Sequence, residues 1–311
     1  MKLGLAALTG ATGFLGQHLV AALSEAGWTV RILARRDPVS PLWAGVEPEV
    51  VAGDLADAAS LNRLCAGADL VIHAAGLIGG SMQRLRAVNV EGARSLALAA
   101  RRAAPSARVT LISSLAAREP QLSAYAATKH SGEAAAREVI GESLSIVRPP
   151  AIYGPGDRET LMIFRAAARS PVLPLLDPRA RVALIHVEDA ARQIVALASG
   201  GLAVNAALSD ARFEGYHWRE IMQAAAVALE RQPQLFRIPK AMLFAIASLS
   251  GIGDGWRHGK VTFTLGKVRE LTHLDWGIQP DERARGAPAP VYDLLSGFKH
   301  TVSWYRKHGW L

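Results

Sequence analysis

Tyr125 and Lys129 stand four positions apart, in the only Tyr-x-x-x-Lys of the sequence. On a helix these two side chains lie one turn apart on the same face. A phenol has a pKa of ~10 and is a poor base at neutral pH unless a nearby positive charge favours the phenolate. Lys129 would supply one such charge, and an oxidised nicotinamide another. The pair therefore predicts a tyrosine acid/base; the alternative is a solvated helix pair without a role.

Two hydroxyls, Ser113 and Ser114, directly follow a predicted strand at Arg108–Ile112. A serine hydroxyl can hydrogen-bond a substrate carbonyl or alcohol while a tyrosine moves its proton. Because parallel strands end at the same edge of a sheet, we expect the serines and Tyr125 to meet there.

Three glycines, Gly10, Gly13 and Gly16, connect a predicted strand at Leu3–Leu8 to a predicted helix at Phe14–Ala26. In a dinucleotide site the first glycine allows the tight turn, the second lets backbone approach a diphosphate, and the third lets helix and sheet pack closely. The amides at the helix N-terminus attract an anion. An ordinary glycine-rich turn is the alternative, but the position between strand and helix favours dinucleotide binding.

Strands and helices alternate along the first half of the chain, which is typical of a parallel sheet with helices on both faces. The fold class that we predict is α/β, a Rossmann-type doubly wound parallel sheet with a smaller C-terminal substrate lobe. The predicted strands are Leu3–Leu8, Thr29–Ala34, Glu49–Ala52, Asp69–His73, Arg108–Ile112 and Ser145–Val147, and the longest predicted helices are Gln83–Ala104 and Ser123–Ile140.

The alternation weakens beyond Pro150, so two lobes are predicted. Residues 1–150 would form the NAD(P)-binding domain, with 182–200 returning to it as the strand Val182–His186 and a helix. Residues 151–181 and 201–311 would form the smaller substrate-binding lobe. Candidates for the substrate cleft are Ile78, Tyr153, Phe164 and Trp256.

Composition limits the classes of function. The net charge is +8, but the basic residues are scattered without an aromatic-interleaved stripe, which argues against a nucleic-acid partner. The single cysteine, Cys65, cannot form an internal disulfide, so a reducing, cytoplasmic location is expected. Histidine spacing indicates no metal site. The longest uncharged apolar stretch, Ala241–Gly253, is shorter than a membrane span of ~20 residues and predicts a core helix.

Several motifs together resemble the extended short-chain dehydrogenase/reductases, close to their NAD-dependent epimerase/dehydratase, dihydroflavonol reductase and 3β-hydroxysteroid dehydrogenase branches. The resemblance implies a Rossmann fold, a nicotinamide cofactor, Tyr125 as catalytic acid/base, Lys129 on the nicotinamide ribose and Ser114 orienting the reacting oxygen, with Ser113 next to the cofactor. The motifs are the turn Thr9–Gly16, Asp54, His73–Gly76, the Ser/Tyr/Lys set, Arg148–Gly156 and His186–Ala190.

The predicted catalytic residues are therefore Ser114, Tyr125 and Lys129. The predicted cofactor-binding residues lie at the strand ends and in the glycine turn: Gly10, Ala11, Thr12, Gly13, Phe14, Leu15, Gly16, Arg35, Arg36, Asp54, Leu55, Ala74, Ala75, Gly76, Ser113, Tyr125, Lys129, Pro149 and Ile152.

The end of the second predicted strand bears on the choice of cofactor. NAD-preferring Rossmann proteins place an acidic residue there, whereas this chain has Ala34 followed by Arg35 and Arg36. Two guanidiniums can bind a 2′-phosphate, which favours NADP(H) over NAD(H). Asp37 reaching back to a ribose is the alternative. Asp54 is expected either to bind the adenine amino group or to cap the next segment.

Two departures from the family pattern shift the predicted reaction. Sugar-nucleotide dehydratases carry an acidic pair just after the catalytic hydroxyl, but here Leu115-Ala116-Ala117-Arg118 follows Ser114, and the interval to Tyr125 is short. We therefore predict an NADP(H)-dependent oxidoreductase that interconverts a carbonyl and a secondary alcohol of a small-molecule substrate. The alternatives are a sugar-nucleotide epimerase and a non-catalytic cofactor-bound scaffold; a homodimer is also expected.

Overall fold

The computed structural model describes residues 3–253 and 264–311, and its strands are short and mostly parallel. In chain order they are β1 (Gly4–Thr9), β2 (Trp28–Ala34), β3 (Glu49–Ala52), β4 (Leu70–His73), β5 (Arg108–Ile112), β6 (Leu144–Arg148), β7 (Ala151–Tyr153), β8 (Val172–Leu175), β9 (Arg181–Val182), β10 (Leu184–His186), β11 (Asn205–Ala207), β12 (Tyr216–His217), β13 (Gln234–Arg237) and β14 (Asp275–Trp276).

The helices connect these strands and cover both faces of the main sheet. They are α1 (Phe14–Glu25), α2 (Ala58–Cys65), α3 (Met82–Arg86), α4 (Gly92–Ala103), α5 (Ala124–Ile140), α6 (Leu161–Arg169), α7 (Val187–Ser199), α8 (Trp218–Ala228), α9 (Lys240–Gly253), α10 (Leu265–Thr272) and α11 (Leu294–Lys307).

Seven strands form the central parallel sheet, in the order β11-β6-β5-β4-β1-β2-β3. The order reverses between β1 and β4, and ligands of such sheets bind in the crevice that opens outside the strand ends at this point. The predicted fold class, a Rossmann-type α/β sheet, is confirmed. The residues that follow β1, β4, β5 and β6 therefore share one edge.

Apolar side chains close both faces of this sheet. One face is covered by α1 and α7, whose buried members include Leu19, Leu23 and Ile194. The opposite face is covered by α2, α4 and α5, with Leu61, Leu96 and other small apolar residues in the interface. Strands that are buried on both faces read as continuous apolar runs, and this is why β1 and β4 can be recognised in the sequence.

A separate aromatic core holds the C-terminal part of the chain. Tyr153, Phe164, Phe298 and Tyr305 are fully buried and make edge-to-face contacts at centroid distances of 4.9 to 5.6 Å. Tyr153 and Phe164 were expected in the substrate cleft; their burial in this core corrects that expectation. Ile78 is exposed, and Trp256 lies outside the described residues.

Other local expectations also change. The predicted helix Gln83–Ala104 is interrupted by a wide, π-type turn at Ala87–Glu91, and helix α2 has no counterpart among the predictions. The predicted strand Val182–His186 is divided between two small sheets, because β9 pairs with β12 and β14 while β10 pairs with β7.

Two further differences concern the C-terminal part. Residues 205–207, which we placed in the smaller lobe, form the edge strand β11 beside β6. The two-lobe division itself stays a prediction. Helix α9 fits the core-helix prediction on one side only: Leu243 and Ala247 are buried in the C-terminal core, whereas Met242, Ala245 and Ile246 are exposed.

Candidate functional site

The glycine turn after β1 is held by contacts that exclude larger side chains. Gly10 has a φ of +78°, and a Cβ there would lie 2.5 Å from the backbone nitrogen of Ala75. A Cβ on Gly16 would fall on the carbonyl oxygen of Gly10. The turn therefore fits tightly between the end of β4 and the first turn of α1, as expected for the first and third glycines.

Gly13 differs, because it faces open space. Its ideal Cβ would meet a single atom within 4 Å, the Gly10 carbonyl oxygen at 3.2 Å. Gly13 is also the N-cap of α1, and no side chain caps this helix, so its first amides are left for another acceptor. An exposed helix N-terminus with uncapped N–H groups and no side chain in front of it suits a diphosphate. The residues present thus fit a dinucleotide.

The end of β4 connects this turn to the predicted catalytic lysine. Thr9 Oγ1 hydrogen-bonds His73 Nδ1 at 2.7 Å and accepts a long 3.4 Å bond from the Ala75 amide. At the other end of this segment, a Cβ on Gly76 would lie 3.8 Å from Lys129 Nζ. The segment Ala74–Gly76 therefore contacts Gly10 at one end and lies beside Lys129 at the other.

Lys129 is buried, and its ammonium donates a hydrogen bond to the Ile112 carbonyl at 2.7 Å. Burial lowers the pKa of Lys129 to about 8, an effect that Glu133 opposes. Glu133 lies one turn further along α5 and binds Arg148 through two hydrogen bonds of 2.8 and 2.6 Å. This bidentate pair fixes α5 against the end of β6.

Lys129 also affects a neighbouring histidine. Burial, together with the charge of Lys129, lowers the pKa of His73 to about 3. His73 is therefore neutral at physiological pH. It is a buried strand residue whose Nδ1 is hydrogen-bonded to Thr9 and whose Nε2 has no partner within the described chain.

Tyr125 is the second residue of α5 and is half-buried. Burial raises the pKa of its phenol to about 12; a hydrogen bond with Ser114 lowers it, and the carboxylates Glu270 and Glu159 raise it. Glu270 reaches this region from α10, where it accepts a hydrogen bond from Ser123, the N-cap of α5. The phenol is thus fully protonated at neutral pH before a cofactor adds its charge.

The two serines after β5 differ in their partners. Ser114 Oγ accepts a 3.2 Å hydrogen bond from the Ala116 amide and interacts with Tyr125. Ser113 is buried, and its hydroxyl has no hydrogen-bond partner within the described chain. An orphaned buried hydroxyl at this edge suggests that a bound group completes its hydrogen bonding.

Asn89 acts through its side chain. Its amide oxygen accepts from the Leu77 amide at 2.8 Å, and its amide nitrogen donates to the Leu77 carbonyl at 2.9 Å and to Thr128 Oγ1 at 3.0 Å. These contacts with the Leu77 backbone and the Thr128 side chain depend on tertiary packing and leave no local signal in the sequence. The wide turn at Ala87–Glu91 places Asn89 between the loop after β4 and the helix that carries Lys129.

The predicted adenosine-side residues lie after adjacent strands. Arg35 and Arg36 are exposed at the end of β2. Asp54 follows β3, and its carboxylate accepts a 2.8 Å hydrogen bond from the Ala56 amide. Leu55 packs against Gly92 of α4, where a Cβ would come within 2.8 Å of it. The cap of α2 is made by Asp57, whose carboxylate accepts from the Ala59 amide, so Asp54 does not cap that helix. Asp54 is exposed, and its contact with adenine stays a prediction.

The remaining predicted residues belong to the end of β6. The Pro149 carbonyl accepts a 2.8 Å bond from the Leu115 amide, so the turns after β5 and β6 are joined. Ile152 lies on β7 and packs against the same core as α1.

Among the described residues, His186, Glu188 and His300 bring ligand-type atoms within 4.8 Å of one another. Each of these atoms already has a protein partner. His186 Nδ1 accepts from the Glu188 amide, the two imidazoles are joined at 3.3 Å, and Glu188 accepts from the Tyr292 hydroxyl at 2.9 Å. The cluster is a hydrogen-bonded junction between α7 and α11, and we propose no metal for it.

The chain is similar to known proteins in sequence and in fold. Over 309 residues the chain is 50% identical to a ceramide reductase of Caulobacter vibrioides, which covers 99% of this chain and 96% of that protein. It is 29% identical over 325 residues to a 2-alkyl-3-oxoalkanoate reductase of Stenotrophomonas maltophilia, covering 96% and 90%. Its fold matches the crystal structure of gox2253 with a TM-score of 0.78 at 21% identity, covering 99% of both chains.

A family model described as "NAD dependent epimerase/dehydratase family" matches residues 6–206, which include the glycine turn, the ends of β4 to β6 and all of α5. The matched region thus contains every cofactor and catalytic residue that the sequence motifs predict. By this match and by its similarity to a reductase over nearly its whole length, the chain belongs to the NAD dependent epimerase/dehydratase family.

Proposed function

We propose that this protein is an NADP(H)-dependent reductase that converts the ketone of a lipid-like substrate into a secondary alcohol. The observation that carries the proposal is the continuous edge from the open turn at Gly13, through Ala74–Gly76, to the buried Lys129 and the Tyr125–Ser114 pair. This edge supports a dinucleotide and an acid/base group side by side.

In the proposed mechanism, Ser114 and Tyr125 hold the substrate carbonyl oxygen by hydrogen bonds, and Tyr125 gives that oxygen its proton. A nicotinamide bound at this edge would supply the hydride for the carbonyl carbon. Lys129 would hold its ribose, and the ammonium charge would stabilise Tyr125 as a phenolate once the proton has been given up.

The ionisation of Tyr125 in the cofactor-free protein fits a proton donor. Burial and the neighbouring Glu270 and Glu159 keep the phenol protonated, with a pKa of about 12. A ketone reductase needs a proton donor at the start of its cycle, whereas alcohol oxidation needs the phenolate. The surroundings of Tyr125 therefore favour the acid role.

Two arginines support NADP(H) as the cofactor. Arg35 and Arg36 directly follow β2 and are exposed, and β2 neighbours β1, which leads into the glycine turn. A guanidinium can donate two parallel hydrogen bonds to the oxygens of a phosphate, whereas a ribose hydroxyl cannot accept such a pair. Asp37, the acidic alternative, lies one residue further from the strand.

The relatives support the substrate class. Their names describe a ceramide reductase and a 2-alkyl-3-oxoalkanoate reductase, so both act on compounds with alkyl chains. A ceramide carries a secondary alcohol beside its amide-bearing carbon, and the chemistry proposed here would form that alcohol from the corresponding ketone. We therefore place the substrate among long-chain keto-amides.

The test is a spectrophotometric assay of NADPH consumption with a keto-amide lipid, in which a ceramide's secondary alcohol has been oxidised. We expect turnover with the wild type and a 10²- to 10⁴-fold loss in Tyr125→Phe, roughly what a positioned proton donor contributes. Tyr292→Phe, a half-buried tyrosine of the α7–α11 junction, is the matched control and should remain active. Equal rates for Tyr125→Phe and the wild type would remove Tyr125 from the mechanism.

The same assay separates the alternatives. A sugar-nucleotide epimerase would retain its cofactor and consume none, and a scaffold would bind NADPH without turnover. The residues after Ser114 disfavour elimination chemistry, because Leu115 and Ala117 are buried and no acid stands there. A homodimer and a cytoplasmic location stay predictions; no helix in the described part of the chain is long and apolar enough to cross a membrane.

A further inference from the structure

Helix α9 has apolar side chains that are exposed and do not pack in the C-terminal core. Leu243 and Ala247 point into the C-terminal core, whereas Met242 and Ile246, also four residues apart, are 43% and 48% exposed. Residues at this spacing lie on one face of a helix. An amphipathic helix that packs on a core normally has polar side chains on its outer face. The exposed Met242 and Ile246 therefore indicate a surface that contacts another apolar partner.

Strand β13, just before α9, also exposes an apolar side chain. Phe236 of β13 is 60% exposed, and its partner in the two-stranded sheet is Pro174 of β8, which is exposed as well. Val172, two residues earlier on β8, is also exposed on that side. Helix α9 begins three residues after β13 ends, and we call the exposed apolar residues of this connected segment and of β8 the apolar patch: Val172, Pro174, Phe236, Met242 and Ile246.

Basic residues outnumber acidic ones next to the patch, although Asp177 forms an ion pair with Lys240. Residues 231–253 contain three basic residues, Arg231, Arg237 and Lys240, and no aspartate or glutamate. Arg237 follows Phe236 directly and Lys240 begins α9, where its ammonium lies 4.0 Å from the buried Asp177. An apolar surface with a basic border is typical of segments that lie in the interface of an anionic bilayer.

The apolar patch is structurally connected to the catalytic helix. Helix α9 packs against α10, and Glu270 of α10 accepts a hydrogen bond from Ser123, the residue that caps α5 two positions before Tyr125.

We propose that the apolar patch docks this protein onto an anionic lipid bilayer, with Met242, Ile246 and Phe236 entering the interface and Arg237 and Lys240 contacting lipid phosphates. The inference rests on the proposed function in one respect: a long-chain ketone would reside in such a bilayer. The contact would bring the enzyme to a substrate that is scarce in water.

Co-sedimentation of the full chain with vesicles tests the docking without substrate or cofactor. Vesicles of equal parts phosphatidylglycerol and phosphatidylcholine should bind the protein, and pure phosphatidylcholine should bind it more weakly. Ile246→Asp should weaken binding about tenfold, since an apolar side chain no longer enters the interface. Lys240→Gln should weaken it about fivefold, the value of one basic residue near an anionic surface. The matched control is Leu202→Asp, whose leucine is 84% exposed outside the patch.

The docking and the reductase activity can fail separately. Ile246→Asp should keep wild-type turnover of a short-chain keto-amide that dissolves in water. Wild-type protein that turns over this ketone but does not sediment with anionic vesicles would overturn the docking and leave the function standing. Vesicle binding without turnover would overturn the function alone. The docking would also be overturned if Ile246→Asp bound the vesicles as well as the wild type does. It would likewise be overturned if the wild type were a dimer and only this variant lost that dimer.

Discussion

At the scale of single residues, burial controls the chemistry of the site. Lys129 is buried and donates a hydrogen bond to the Ile112 carbonyl. Because burial disfavours the charged form, its pKa is lowered to about 8. The spacing of Tyr125 and Lys129 was visible in the sequence because one helix carries both. The contacts of Thr128, Glu133 and Glu270 were not visible in the sequence, because they depend on how α4, β6 and α10 pack against α5.

Lys129→Met should change stability in a pH-dependent way. The pKa of Lys129 is about 8 in the folded protein, below its ordinary value of 10.5, so the unfolded chain binds more protons between these values. Burying the ammonium therefore lowers the free energy of unfolding of the wild type by about 3 kcal/mol below pH 8, and this loss disappears as the pH rises towards 10.5. The variant does not have this loss, and its stability relative to the wild type should be greatest at pH 7.

Urea unfolding of both proteins without cofactor, at pH 7 and pH 10, measures this difference. Lys299→Met, a change at an exposed lysine of α11, is the matched control and should show a constant difference from the wild type. A difference for Lys129→Met that does not shrink between the two pH values would contradict the account of a desolvated ammonium.

At the scale of elements, the loops after the strands and the wide turn before α4 position the site. The glycine turn was predicted correctly because strand, turn and helix all leave local signals. The wide turn at Ala87–Glu91 was not, because the apolar pattern of the predicted helix Gln83–Ala104 runs through it without a break. Its reason is tertiary: a Cβ on Gly132 would fall on the Asn89 carbonyl, so α5 packs directly on this turn.

Asn89→Ala should destabilise the protein by about 1–3 kcal/mol, because the Leu77 amide and carbonyl and Thr128 lose a partner. The free energy of unfolding in urea measures the effect. Asn62→Ala on α2 is the matched control, since its side chain makes no such bridge, and alanine there should be neutral or slightly stabilising. Equal effects of the two substitutions would show that the Asn89 bridge contributes little.

The loop after β2 should decide between the two cofactors. Replacing both Arg35 and Arg36 by alanine should raise the KM for NADPH at least about tenfold and leave the KM for NADH nearly unchanged, since a charge-assisted contact contributes about 1.5–3 kcal/mol. Steady-state kinetics with each cofactor measure this. Arg102→Ala, at an exposed position of α4, should alter neither value. A parallel loss with both cofactors would contradict phosphate recognition by these arginines.

At the scale of the whole molecule, the sheet order explains why distant motifs act together. The reversal between β1 and β4 brings the glycine turn, Ala74–Gly76 and the residues after β5 to one edge. This part was predictable because α/β units repeat a local pattern. The C-terminal part was less so: its strands have two to four residues, and burial of Tyr153 and Phe164 depends on α11, more than 120 residues further along the chain.

Hydride transfer to a substrate carbon, with Tyr125 as proton donor, is the central claim. Its most direct measurement is mass spectrometry of the product formed from a keto-amide lipid and NADPH deuterated at nicotinamide C4, using both stereochemical labels. We expect one of the two labels to give an alcohol heavier by a single deuterium, and Tyr125→Phe to give almost no product. An alcohol without deuterium from either label, or a product formed without loss of NADPH, would contradict the claim.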